Sequence, residues 1–238
     1  MVGPAELWPL ADVRFPLGTD SLGRDIAALL FHGAGTTLII GLVASLVATI
    51  IGVGIGGLAG FNGGVIDDVL MRFTEVFQTI PNLIFLMTLM VVLGPQIENV
   101  VIGIGLVSWT SVARLVRAEF MTLREREFIL ASRAMGMSNL RIAVTQILPN
   151  ALPPVIVLAS LMVAGAVLFE SALAFLGLSD PDVASWGALI GEGRLLIRTS
   201  WYVSAIPGLA IVVTVLALNL IGDGLNDVFN PKLKSGTG

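Results

Sequence analysis

The chain contains no cysteine and a single histidine, His32, among its 238 residues. Disulfides, thiolate metal sites and histidine-cluster metal sites are therefore excluded. Charged residues make up only 13% of the chain, and its net charge of −4 comes without a basic arm, which argues against a nucleic-acid partner. The segment 1–15 has neither the basic nor the apolar stretch of a secretory signal peptide.

Apolar residues, by contrast, make up 55% of the sequence, and the mean hydropathy is +0.93. A helix needs about 20 apolar residues to cross the hydrocarbon core of a bilayer. Five stretches reach about this length, so the sequence predicts an all-α fold, a polytopic membrane helical bundle. The predicted spans are 36–60, 65–93, 97–116, 152–169 and 203–221.

One polar segment, residues 114–150, interrupts the apolar runs and carries six of the thirteen Lys and Arg residues. Arginine-rich loops of membrane proteins lie mainly on the cytoplasmic side. This rule places the segment inside, together with the C-terminal Lys232 and Lys234. It places a loop at about 172–202 and the N-terminal residues 1–35 outside or at the interface. The predicted membrane domain is 36–238, with its cytoplasmic loop at about 118–150.

The polar segment predicts two short helices joined by a glycine turn. Residues 124–135 have helical periodicity, and Gly136 follows where a left-handed C-cap is expected. Ser138 is the expected N-cap of a second helix at 139–147, which Pro149 is expected to stop. One face of the first helix combines large and very small side chains at i, i+3, i+4 and i+7, namely Phe128, Ala131, Ser132 and Met135.

That face has two interpretations. It permits close approach by a partner's surface, with Phe128 and Met135 inserting into an apolar groove. An amphipathic helix that rests on lipid at the membrane interface would show a similar pattern. The pattern alone leaves both open.

Small residues recur at four-residue spacing in the first predicted span, in the series Gly52, Gly56, Gly60 and Gly41, Ser45, Thr49. Such ridges let helix backbones approach closely in lipid, although glycine is also common in membrane helices generally. Gly52, Gly54 and Gly57 also satisfy G-x-G-x-x-G, but the dinucleotide fingerprint requires a strand, a tight turn and a helix. Inside an uninterrupted apolar run, these glycines do not predict a cofactor site.

The polar segment resembles the EAA loop of permease subunits of bacterial ATP-binding-cassette importers, which reads E-A-A-x-x-x-G and closes further on with I-x-L-P. Ala131 and Ser132 fall at the alanine positions, Gly136 at the glycine and Leu148-Pro149 at the closing pair.

Two positions depart from that motif. Leu130 stands where the glutamate would be, and Gln146 stands where many members have histidine. The missing carboxylate removes any contact that it makes in other members, whereas the glycine and the spacing are retained.

Further stretches are similar to the second permease of dipeptide, oligopeptide and nickel importers, and they occur in the family's order. They are PLGTDSLGRD at 16–25, FESALAFLGL at 169–178, Ser185-Trp186-Gly187, and NLIGDGLNDVFNPK at 219–232. Members usually carry another span before the G-T-D stretch. We therefore expect five spans here with the family's first span missing, either because the sequence is incomplete or because the protein is a five-span variant.

The resemblance implies the type I importer permease fold and a role as half of the translocation path for peptides or a related small solute. The implied partners are a second homologous permease, two ATP-binding-cassette ATPase subunits, an external substrate-binding protein and membrane lipid. The sequence has no G-x-x-x-x-G-K-[ST] loop, so ATP and Mg are expected in the ATPases. We expect no cofactor, metal or catalytic residue in this chain. The implied location is the plasma membrane of a bacterium or archaeon, which is the inner membrane in a Gram-negative cell.

The resemblance assigns ATPase coupling to the loop residues Glu127, Phe128, Ala131, Ser132, Met135, Gly136, Ser138, Leu148 and Pro149. Glu170, at the external end of the fourth span, is either a residue of the path or external gate, or half of an interfacial ion pair. Trp186 is either a contact for the binding protein or part of an interfacial aromatic belt with Trp201 and Tyr202. The charged residues Asp68, Arg72 and Glu75 are spaced to pair on one helix.

An ion-coupled secondary transporter or a channel is the alternative function. The first would carry acidic or histidine residues midway through its spans, and the second would carry repeated polar rings. The central parts of the predicted spans have neither, which favours the importer permease.

Overall fold

The computed structural model describes residues 3–229. Within these residues, β structure is limited to isolated bridge positions, of which Thr19 and Asp25 form one antiparallel bridge. A π-helical turn, Ala143–Ile147, joins α6 to α7, and a 3-10 turn, Arg194–Leu196, follows α8. The helices are α1 (Ile26–Asn62), α2 (Gly64–Thr79), α3 (Asn82–Leu93), α4 (Ile97–Arg124), α5 (Glu127–Ala134), α6 (Asn139–Ile142), α7 (Leu148–Phe175), α8 (Trp186–Gly193) and α9 (Tyr202–Phe229).

Four helical runs are long and apolar enough to cross a membrane, namely α1, α4, Asn139–Phe175 and α9. Helices α2 and α3 pass the same test as a pair that is bent by 84°. Pro81 explains the bend because it disfavours helical backbone at Ile80, whose ψ is 126°. Four to five apolar spans in an all-helical chain confirm the predicted polytopic fold.

The helices begin and end outside the predicted spans. Helix α1 begins at Ile26 instead of residue 36, and α4 continues to Arg124 instead of residue 116. Hydropathy detects only the apolar centre of a helix, whereas the hydrogen-bonded ladder continues into polar turns at both ends. Lys232 and Lys234, which entered the prediction of sidedness, lie outside the described residues.

The prediction that Pro149 stops the second loop helix is wrong. Pro149, Pro153 and Pro154 all lie in one continuous helical run, Asn139–Phe175. Each proline removes a backbone donor and crowds the carbonyl four residues earlier. The π turn loosens the ladder directly before Pro149, and the Asn150 side-chain amide donates to the Gln146 carbonyl at 2.6 Å.

The described residues divide into two compact units. Unit 1 comprises 3–44, 86–104 and 163–217, and unit 2 comprises 45–85, 105–162 and 218–229. In unit 1, the N-terminal segment folds against the start of α9. The Tyr202 hydroxyl donates to the Leu7 carbonyl at 3.0 Å, and Asp20 Oδ1 accepts from the backbone N–H of Arg24 at 2.8 Å. The G-T-D stretch is therefore a structured turn whose Thr19 and Asp20 are buried.

Unit 2 is built on backbone contact between α1 and α4. A Cβ atom at Gly56 would lie 2.2 Å from the Ala113 carbonyl oxygen, and one at Gly60 would lie 2.6 Å from that of Arg117. A Cβ atom at Gly52 would lie 2.5 Å from Cβ of Val112. No side chain fits at these three positions without a shift of α4. The predicted glycine ridge is confirmed as a surface of close helix approach.

Glycine-to-alanine substitution on α1 tests this contact. We expect Gly56→Ala to destabilise the protein by about 1–3 kcal/mol, because the added methyl group overpacks against α4. The matched control is Gly54→Ala, two residues away on the same helix, whose Cβ would meet nothing within 4 Å. Thermal unfolding of the purified protein in detergent measures both changes. Equal midpoints for the two variants would show that the ridge does not hold the helices together.

Candidate functional site

The loop between α4 and α7 turns at Gly136. Its φ of +79° lies in the left-handed region that favours glycine. The Gly136 N–H donates to the Arg133 carbonyl at 2.9 Å, and the Met137 N–H donates to the Ser132 carbonyl at 3.2 Å. These two bonds form a Schellman motif, which ends α5. The predicted left-handed cap is confirmed.

Helix α5 is held to the rest of unit 2 by its inner face. Ile129 is fully buried in a cluster with residues of α4 and of the run Asn139–Phe175. Ser132 is 4% exposed, and its hydroxyl proton is shared between Gln146 Oε1 at 2.8 Å and the Phe128 carbonyl at 2.9 Å. The prediction that Ser132 shares the outer face with Phe128 is therefore wrong. At the edge between the buried and the exposed face of a helix, a shift of one residue decides whether a small side chain faces the core or water.

The outer face of α5 is open. Met135 is 74% exposed, and its neighbours on this face are exposed as well, namely Glu127, Phe128 and Ala131. A helix with a buried inner face and an outer face of small and apolar side chains can receive a partner without rearranging its own packing.

The remaining loop residues have other positions. Ser138 precedes α6 with extended backbone, but its side chain makes no capping hydrogen bond. Leu148 packs against the core cluster, and Pro149 is exposed at the start of α7. The closing pair of the motif therefore continues the helix instead of ending it.

The π turn determines which residues before and after it lie on the same face of the helical run. Ile142 and Ile147 are five residues apart, yet both are fully buried in the same cluster. In an α-helix, residues five apart differ by about 140° around the axis. The wider π turn brings them onto one face, where Ala151 and Val155 continue the row at four-residue spacing.

A partly buried ion pair between α2 and α4 is absent from the sequence-based predictions. Arg117 donates to both carboxylate oxygens of Asp67, with Nη2 2.6 Å from Oδ2. Arg72 and Glu75 do pair, at 3.3 Å on the exposed side of α2. The spacing of charges along α2 predicts that Asp68 pairs with Arg72 and Glu75 on that helix. It does not predict that Asp67 pairs with Arg117 of α4.

In unit 1, Glu170 is fully buried rather than part of an interfacial ion pair. Hydroxyl groups of Ser185, Ser171 and Thr37 lie against its carboxylate. The Ser185 and Thr37 oxygens each accept a backbone N–H, from Ala188 and Trp186 respectively, so their protons are left for the carboxylate. Within residues 3–229 no hydrogen bond reaches Glu170 Oε1. This geometry places Glu170 against Ser185, the N-cap residue of α8. Its assignment to the path or the external gate stays a prediction.

Trp186 is buried as well. It is 5% exposed, and its indole N–H donates to the Leu30 carbonyl at 2.8 Å. Tyr202 is also buried, whereas Trp201 is exposed. Of the predicted aromatic belt, only Trp201 has the exposure that an interfacial position requires. A direct contact of Trp186 with a binding protein does not fit its burial, because side chains of unit 1 cover it.

The Ser132–Gln146 hydrogen bond can be tested in the loop. We expect Ser132→Ala to destabilise the attachment of α5 by about 1 kcal/mol, because Gln146 loses its donor. The matched control is Ser138→Ala, which removes a hydroxyl of the same loop that makes no cap bond. Hydrogen exchange of the α5 amides measures the difference, which should be about fivefold. Faster exchange in both variants, or in neither, would contradict this role for Ser132.

Comparison with known proteins identifies the family of this chain. Residues 52–235 match the family described as binding-protein-dependent transport system inner membrane component. The di/tripeptide transport system permease protein DppC of Pseudomonas aeruginosa strain UCBPP-PA14 is 41% identical over 223 residues, covering 93% of this chain and 74% of that protein. The dipeptide transport system permease protein DppC of Bacillus subtilis strain 168 is 38% identical over 228 residues, covering 95% and 71%.

Solved structures show the same fold. A chain of the inward-facing MetNI methionine ABC transporter has a TM-score of 0.69 at 21% identity, covering 86% of this chain and 97% of that one. A chain of an amino acid ABC transporter has a TM-score of 0.62 at 17% identity, covering 87% and 94%. The chain thus belongs to the binding-protein-dependent transport system inner membrane components and is a multi-pass permease of an ABC importer.

Proposed function

We propose that this permease forms half of the path of an ATP-driven importer for short peptides. It pairs with a second homologous permease, and an external binding protein delivers the solute. Two ATPase subunits bind ATP and Mg and dock on the loop between α4 and α7. This chain itself carries out no catalysis and holds no cofactor. The complex lies in the plasma membrane of a bacterium or archaeon.

The architecture of the loop is the observation that carries this proposal. Helix α5 exposes Phe128, Ala131 and Met135, while Ile129 and Ser132 fix it to the rest of unit 2. The loop thus combines an open docking face with a rigid base. A helix that merely rested on lipid would not need the buried hydrogen bond between Ser132 and Gln146.

The same contacts can transmit a displacement of α5 to the two helices that it joins. Helix α5 follows directly on α4, and after the Gly136 turn the chain enters the helical run Asn139–Phe175. Because Ile129 is fully buried among residues of both, a displacement of α5 by an ATPase is passed to both. Tightly packed contacts of this kind switch between discrete arrangements and transmit small shifts.

The solute class rests on the relatives. The relatives from Pseudomonas aeruginosa and Bacillus subtilis are named for di/tripeptide and dipeptide transport. Uptake of a labelled dipeptide into proteoliposomes that contain the assembled complex, with ATP on the side of the ATPases, tests this assignment. Uptake by this chain alone, without ATPases, would instead support a secondary transporter or a channel.

A bulky residue on the outer face of α5 tests the docking site. We expect Ala131→Trp to reduce copurification of the ATPase subunits at least tenfold, because the indole blocks close approach. The fold should persist, because Ala131 is exposed. The matched control is Leu195→Trp, which enlarges an exposed residue of unit 1. Normal copurification with Ala131→Trp would place the ATPases elsewhere.

Substitutions at Gly136 distinguish a role of its backbone conformation from a role of a direct contact. Space around it is open, since a Cβ atom there would meet nothing within 4 Å. Its φ of +79° strains any β-branched residue. We therefore expect Gly136→Asn to retain most peptide-stimulated ATP hydrolysis and Gly136→Val to lose it, since asparagine tolerates this conformation. Equal activity of the two variants would show that the turn conformation does not matter for coupling.

A further inference from the structure

The exposed side of α4 in unit 2 is polar. Between residues 105 and 124 of this helix, the exposed positions are Ser111, Arg114, Ala118 and Thr122. Their spacing of three, four and four residues forms one stripe along the helix. No large apolar side chain is exposed on this part of α4.

Other helices of this chain expose the opposite kind of surface. On α1 the exposed residues of unit 2 include Leu46, Ile50 and Leu58. Such faces are suited to contact with lipid or with an apolar partner helix. In a chain that is 55% hydrophobic, a helix that hides its apolar residues and exposes serine, arginine and threonine is oriented towards water.

Helix α2 contributes charged residues beside this polar stripe of α4. Asp68, Arg72 and Glu75 lie on one face of α2, apart from its exposed apolar face. The Arg72 and Glu75 side chains are 83% and 62% exposed. Together with α4 they form a groove of about 310 Å³, which is lined by Asp68, Met71, Arg72, Thr74, Glu75, Arg114 and Arg117.

The groove extends well before the end of α4. Arg114 lies ten residues before Arg124, the last residue of α4, which corresponds to about 15 Å along the axis. If lipid tails covered the groove, its charges of both signs would be unfavourable. They are favourable where water and a charged solute pass.

We propose that the groove between α2 and α4, with the stripe from Ser111 to Thr122, lines the cytoplasmic part of the solute path. Asp68 and Arg114 can meet an ammonium and a carboxylate, and the exposed pair of Arg72 and Glu75 is weak enough to open for the same groups. The groove therefore takes solutes that carry both charges, as a free peptide does. This inference rests on the proposed importer function.

Cysteine labelling tests the location, and the absence of native cysteine makes each introduced thiol unique in this chain. We expect Ser111→Cys and Ala118→Cys, in the assembled complex in inside-out vesicles, to react with a membrane-impermeant methanethiosulfonate. Trapping the ATPases with ATP and vanadate should slow that reaction at least tenfold, because the proposed coupling passes their closure through α5 to α4 and narrows this part of the path. The matched control, Leu46→Cys on the apolar face of α1, should react slowly in both states.

Two labelling results would overturn this location. If Ser111→Cys reacts as slowly as Leu46→Cys, the stripe is covered by lipid or by the second permease. If it reacts quickly and trapping has no effect, the groove is ordinary cytoplasmic surface. Dipeptide uptake by the wild-type complex is measured in parallel, so a failure of the importer function itself is recognised separately.

Charge removal tests the solute class. Arg72 and Glu75 are exposed, so neutral variants should fold normally. We expect Glu75→Gln to lower the uptake of a lysine-containing dipeptide relative to a glutamate-containing one by about fivefold, and Arg72→Gln to change the ratio in the opposite direction. An unchanged ratio in both variants would show that these charges do not meet the solute.

Discussion

The contact between the α1 and α4 backbones is the constraint on which unit 2 depends. Lipid offers no hydrophobic driving force for helix association, so membrane helices are held by close packing and by polar contacts. Gly52, Gly56 and Gly60 remove the side chains that would separate α1 from α4. The polar contacts follow from this approach: Arg124 reaches the Gly60 carbonyl at 3.2 Å.

Helix α4 then serves as the common support of the functional regions in this unit. One side meets the glycine ridge, and another holds Asp67 of α2 through Arg117. A third packs against Ile129 of α5. Asp67 is buried while Arg117 is partly exposed, so removing Arg117 would leave a buried carboxylate without its partner. The exposed polar side of α4 remains available for solvent.

The sequence predicts those features that depend on composition or on one special backbone angle. Long apolar runs identify the membrane helices, and Gly136 identifies the turn, because few other residues adopt its conformation. Features that depend on the direction in which a side chain points around the helix axis are missed. Hydropathy does not tell Asp67 from Asp68, and neither periodicity nor motif tells which way Ser132 faces. The burial of Glu170 is missed as well, because α8 comes from a later part of the sequence and folds over it.

The π turn at Ala143–Ile147 has a consequence for chain length in this region. It holds one residue more than an α-helical turn would need to bring Ile142 and Ile147 to the same side. Removing one residue there would restore regular winding and leave Ile142 and Ile147 at four-residue spacing on one face. The docking face of α5 would then keep its present direction. Removing one residue from a regular turn of α7 would instead rotate the segment before it by about 100°, so related permeases should tolerate a one-residue deletion in the π turn far more readily than in the turns that follow.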